Sequence, residues 1–169
     1  MVVPDVDLTK LESLFSQLER HNVRYELGAK ATTLDCDPCQ IEALDCSGFV
    51  RYALHKATAR ALTLPDGSQN QRVWCELRAA AGQLQRVERY ADCACLSTDP
   101  KLFICFIKPH TNGCGKVGHV WLVSHYDDGN GGTLAGTLES HGGAGINSRA
   151  WNSRTLVHEF HSAYSLQVK

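Results

Sequence analysis

The chain has 169 residues, 43% of them hydrophobic and 21% charged, with a formal net charge of −1. That length suffices for one domain with its own core, and a near-neutral balance without a Lys/Arg cluster argues against nucleic acid as a partner. No run is apolar for long enough to cross a bilayer, so no membrane partner is expected, and the opening MVVPDVDLTKLESLF lacks the basic-then-apolar order of a Sec signal peptide.

In chain order, Leu8, Leu11, Phe15 and Leu18 recur at helical spacing with Leu14 beside them, and Asp7 or Thr9 supplies a cap. This helix is expected to end near His21-Asn22. Residues 30–45 read as an irregular acidic loop interrupted by Pro38. From Cys46 to about Leu62 the pattern is helical again, with Phe49, Val50, Ala53, Leu54 and Ala57 on one face. Pro65-Asp66-Gly67-Ser68 is a turn, and a further helix is expected over residues 70–84. The second half changes character. Residues 102–107, 118–124, 133–140 and 155–160 read as short strands, and Asp127-Asp128-Gly129-Asn130-Gly131-Gly132 as a hairpin. Helices first and strands afterwards imply an α+β domain, with residues 1–169 as a single unit.

The chemistry centres on Asp45-Cys46-Ser47-Gly48-Phe49. A cysteine at a helix start meets unpaired N–H groups and the positive end of the helix dipole, which favour a thiolate. A cysteine hydrolase also needs a base and a polar group that orients it. Gly118-His119-Val120 and Ser140-His141-Gly142 both lie beside strand-like runs and offer these. The other histidines, His21, His55, His110, His125, His158 and His161, read as surface or core residues. Of the eight cysteines, Cys105 sits in an apolar run and reads as core. Cys36-x-x-Cys39 with Cys93-x-Cys95 offers four thiolates for zinc, but the second spacing is too short for the usual knuckle, and no metal is expected.

Asp45-Cys46-Ser47-Gly48-Phe49-Val50 resembles the nucleophile motif of the NlpC-type cell-wall cysteine peptidases, a papain-like superfamily. Arg24-Tyr25-Glu26-Leu27-Gly28-Ala29-Lys30 resembles that family's Tyr-x-x-Gly-Gly segment, with Ala29 at the second glycine. Leu64-Pro65 with Ser68 and Gln71 is similar to the polar stretch before the family's next helix. Gly118-His119-Val120-Trp121-Leu122-Val123 resembles the strand of the general base, and Glu139-Ser140-His141 the strand of the third polar residue. The matches run from about residue 24 to 142.

The resemblance implies a papain-like NlpC-type fold, with the nucleophile helix packed on a small antiparallel sheet. It implies an amidase or endopeptidase acting on peptidoglycan stem peptides without a cofactor. Cys46 would attack, His119 would carry the proton, His141 would orient His119, and Tyr25 would help hold the oxyanion. Asp35, Asp37 and Asp45, in a loop with no base after Lys30, read either as a site for a substrate ammonium or as a solvated acidic loop that Cys36 and Cys39 staple. The expected settings are a toxin delivered to a rival's periplasm, such as a type VI secretion amidase effector with a separate immunity protein, or a phage-type wall hydrolase. Alternatives are a protease, deamidase or acyltransferase on a protein or lipid, and a non-enzymatic cysteine-rich interaction module.

Overall fold

The computed structural model describes residues 2–94, 101–108, 118–126, 133–150 and 153–169. Within them the chain is mixed α+β: four α-helices and one six-stranded antiparallel sheet. Helix α1 spans Leu8–Arg20, with Asp7 accepting from the N–H of Lys10 at 3.0 Å, and buries Leu11, Leu14, Phe15 and Leu18. Helix α2 spans Cys46–Ala57 and helix α3 Ser68–Ala80. Both stop short of the sequence expectation, for local reasons. After α2, Ala59 and Arg60 take φ of 50° and 73°, and Thr58 folds back with its hydroxyl donating to Leu54 O at 2.7 Å. After α3, Gly82 at φ 70° closes a Schellman turn in which Gly82 and Gln83 donate to the carbonyls of Ala79 and Arg78.

The strands are β1 (Gln85–Val87), β2 (Lys101–Ile107), β3 (Val120–Tyr126), β4 (Thr133–His141), β5 (Gly145–Asn147) and β6 (Phe160–Leu166), in the spatial order β1-β6-β2-β3-β4-β5. The expected hairpin tip at 127–132 lies outside the described residues, but β3 and β4 on either side of it pair antiparallel. The strand expected at 155–160 is overturned. Residues Arg154–Glu159 form a short helix α4, opened by the N–H of Val157 donating to Ser153 O at 3.0 Å. The strand follows instead at Phe160–Leu166, where both faces are largely buried and no polar–apolar alternation marks it.

The continuous apolar run of β2 has a simple cause: the sheet is a middle layer. Leu102, Ile104 and Phe106 face the helices, packing with Phe49, Val50, Tyr52 and Leu54 of α2. Phe103, Cys105 and Ile107 face the other way, into a second cluster with Trp121, Val123, Tyr90, Leu156 and Phe160. Cys46, Cys36 and Cys75 pack into the first cluster and Cys93 and Cys105 into the second.

The six cysteines at 36, 39, 46, 75, 93 and 105 are all free, so no Cys36–Cys39 staple forms; Cys95 and Cys114 lie outside the described residues. Among the described residues no group of three or more His, Cys, Asp or Glu is set to hold a metal ion, and no helix is long and apolar enough to cross a membrane.

Candidate active site

Cys46 is the first residue of α2, and its placement is over-determined. Asp45 is the N-cap: its Oδ1 accepts from the N–H of Gly48 at 2.6 Å and from the Ser47 hydroxyl at 2.9 Å. Its Oδ2 accepts from the N–H of Gly28 at 3.1 Å and is ion-paired with Lys30. Gln71 of α3, fully buried, donates from Nε2 to Ser47 O at 2.9 Å. Gly48 is a glycine because the 29–30 loop passes against it; a Cβ there would stand 2.7 Å from Ala29 O. Gly48→Ala is therefore expected to lower stability by about 1–3 kcal/mol, read from the denaturant midpoint, since backbone rather than a flexible side chain must move.

The stretch carrying Tyr25 runs beside the approach to this helix. Arg24 N–H donates to Glu42 O and Leu44 N–H to Arg24 O, each at 2.9 Å. Strand β4 is tied to the same approach by the Ser140 hydroxyl, which donates to Leu44 O at 2.7 Å. These bonds bring residues 25, 46 and 139–141 together from remote parts of the chain. The Tyr25 phenol is raised above its ordinary pKa by burial, and then by the charges of Cys46 and Asp45, so it stays a proton donor beside the sulfur.

His119 directly precedes β3, and its side chain is only 15% exposed. Its ring stacks on Trp121, two residues on and so on the same face of the strand, with centroids 5.7 Å apart and planes at 16°. Trp121 is held in turn by its Nε1 donating to the Tyr90 hydroxyl at 3.3 Å. His119 Nε2 lies 3.2 Å from Glu139 Oε2, a position to donate to it, and the ring is near enough to Cys46 for the two to interact electrostatically. With Nε2 on the carboxylate, Nδ1 is the nitrogen left for the sulfur.

Glu139 is a fully buried carboxylate, which a strand tolerates only with a cation beside it. The cation is Arg149, whose Nε pairs with Oε1 and whose Nη2 donates to Oε2 at 3.1 Å. Arg149 is placed by the β4–β5 register. Beyond Glu139 opposite Asn147, Thr137 and Arg149 continue the ladder, with Thr137 N–H donating to Arg149 O at 2.9 Å. Burial alone would raise the Glu139 carboxyl, but His119 and Arg149 hold it below the ordinary value.

The expectation that His141 orients His119 is corrected here. His141 Nε2 sits 3.6 Å from Glu139 Oε1, and its Nδ1 is 3.2 Å from Gly142 O. The His141 Nε2 is buried without a hydrogen-bond partner among the described residues, and Glu139 is the group that bonds the His119 ring. The three acids of the loop have different surroundings. Asp45 is spent on the cap and Lys30. Asp35 pairs with Arg60 Nε at 2.7 Å and lies 3.6 Å from His55 Nε2. Asp37 heads the 3-10 turn Pro38–Gln40, its N–H donating to Gln40 Oε1 at 3.0 Å. Asp45 and Asp35 thus meet cations of this chain, while Asp37 is exposed.

Burial disfavours the His119 imidazolium, yet hydrogen bonds to Cys46 and Glu139 and the charges of both carry its pKa up to about 9. The folded value thus lies above the ordinary 6.5. Stability drawn from the charged ring is fully present below that value and fades as pH rises through about 9. If the imidazolium is the proton donor in turnover, the rate–pH profile should show an alkaline limb near pH 9. A profile flat through that range would remove His119 from the proton path.

Neither protein-family models nor curated proteins give a match to this chain.

The reading therefore rests on geometry. A cysteine at a helix N-terminus, a histidine beside it, a buried carboxylate on that histidine and a protonated phenol nearby can together perform acyl transfer. Two of these partners escaped the sequence reading. Glu139 was visible as an acid between Leu138 and Ser140 in a strand, a pattern that itself calls for a buried cation. Arg149 carries no motif and is found only through the register. A cavity of about 1100 Å³ lies elsewhere, between α1, β1 and β6, and none of these site residues lines it.

Proposed function

We propose that this chain is a papain-like cysteine hydrolase of the NlpC type, cleaving peptide or amide bonds in peptidoglycan stem peptides. The observation that carries the reading is Cys46 at the start of α2 beside a His119 whose ring meets the buried Glu139 at 3.2 Å. The Cys46 thiolate adds to the scissile carbonyl carbon. The N–H of Cys46, a helix-start donor without an intrahelical acceptor, and the Tyr25 hydroxyl hold the oxygen as it gains charge. His119 gives its proton to the departing amine, leaving a thioester on Cys46. The now neutral ring takes a proton from water, whose oxygen attacks the thioester and frees the acid and the thiolate. Glu139, held by Arg149, keeps the ring turned with Nδ1 toward sulfur and stabilises its charged form.

The biological setting that goes with this reading is an antibacterial effector acting in a target cell's periplasm, restrained in the producer by an immunity protein over the Cys46 cleft. The test is digestion of purified sacculi, with the soluble products identified by mass spectrometry. New stem-peptide fragments bearing a freed amine are expected. Intact sacculi after incubation with folded protein whose thiols are reduced would contradict the substrate assignment.

A further inference from the structure

Next to the Cys46 site lies a cavity of about 490 Å³ that the mechanism above does not use. Its volume falls in the range of small-ligand sites. One wall is the C-terminal turn of α1 with the extended stretch 22–25; the other is the β4–β5 hairpin, residues 143–147. Both walls are firmly built. The helix ends in a Schellman turn, with Asn22 at φ 53° and the N–H groups of Asn22 and Val23 donating to Glu19 O and Leu18 O at 2.9 and 3.2 Å. The hairpin is fixed to that wall by Ile146 N–H donating to Val23 O at 3.1 Å. Gly145, at φ 70°, passes so near that a Cβ would strike the same carbonyl.

Two charged side chains line the cavity, Glu19 and Arg24. Both residues are exposed, and among the described residues neither side chain makes an ion pair or hydrogen bond, with the other or with any third group. Two unpaired opposite charges on one cavity are complementary to a ligand group that carries both signs. The cavity also adjoins the chemistry: Tyr25 lines it, and the ring of Tyr25 lies against Gly142, which follows His141 on the strand bearing Glu139.

We propose that this cavity is a substrate subsite for an unblocked amino-acid centre, taking its carboxylate on Arg24 and its ammonium on Glu19. That the bound group belongs to a substrate rests on the hydrolase reading; the binding itself does not.

The test is an NMR titration of isotope-labelled Cys46→Ala protein with norleucine, norleucinamide and N-acetylnorleucine. Norleucine should move the amide signals of residues 22–25 and 143–147. Each blocked analogue should bind about tenfold more weakly, the loss of one charge-assisted contact. Arg24→Gln should abolish the preference over norleucinamide alone, and Glu19→Gln the preference over N-acetylnorleucine alone. Equal binding of all three compounds, shifts confined to other residues, or a preference order unchanged in both variants would overturn the subsite. Sacculus digestion by the wild type is scored separately. Cleavage without norleucine binding removes the subsite and leaves the hydrolase. Binding with the stated selectivity but no cleavage keeps the ligand site and removes the hydrolase.

Discussion

Cys46→Ala and His119→Ala should each lower kcat/KM on a stem peptide by about 10³-fold or more, and the double variant should lose little beyond that. The reason is that the two side chains act as one unit. Without the sulfur no thioester forms, and the proton on His119 has no covalent step to serve. Without the imidazole the leaving amine departs unprotonated. Stability should respond quite differently. Alanine is a good helix former, and position 46 is the first residue of α2, whose cap on Asp45 does not involve the Cys46 side chain. The melting temperature of Cys46→Ala should therefore fall only slightly, by the packing and the His119 contact that the sulfur supplied. Multiplicative losses in the double variant, to about 10⁶-fold, would mean that the two residues serve separate functions.

Glu139 is expected to give the largest combined effect on folding and turnover. Glu139→Ala removes a fully buried carboxylate while leaving Arg149 and His119 beside the gap, and breaking a buried pair in this way costs about 3–5 kcal/mol. Glu139→Gln separates charge from shape. The amide fills the same space, but it no longer favours the imidazolium, so the alkaline limb should move below pH 9. It can also donate to Nε2 and so stabilise the wrong tautomer, which would lower kcat by about 10²-fold or more. His141→Ala provides the contrast. Since His141 meets Glu139 only at 3.6 Å and does not bond His119, its loss should leave the alkaline limb in place. A limb that shifts for His141→Ala and stays for Glu139→Gln would return the orienting role to His141.

Cys46 and its helix are more legible in the sequence than what holds His119. Helix α1 and the start of α2 were readable from apolar spacing and a cap acid, because both helices bury one face against the core and expose the other. Strands β2, β3 and β4 were readable as apolar or β-branched runs. Strands β1 and β5 were not, being three residues each and defined by their partners. Strand β6 escaped because it is buried on both faces with small and polar residues such as Ser162 and Ala163, while Thr155 and Val157 just before it carry strand-like side chains on a helical turn. The same limit applies at the site. Glu139 and His141 stand two residues apart on one strand face, so alternation cannot choose between them. The choice is made by the β3–β4 pairing and by Arg149, which lies two residues past the end of β5.

The most direct test of the central claim, that His119 activates Cys46 as a nucleophile, is competitive alkylation. The reduced protein is treated with a limiting amount of iodoacetamide at neutral pH, and labelling is read cysteine by cysteine by peptide mass spectrometry. Cys39 is exposed and Cys46 is buried, so accessibility alone would label Cys39 first. The account predicts the reverse, with Cys46 labelled first and its rate falling by about tenfold or more in His119→Ala. Labelling of Cys39 ahead of Cys46, or a Cys46 rate that His119→Ala leaves unchanged, would contradict it.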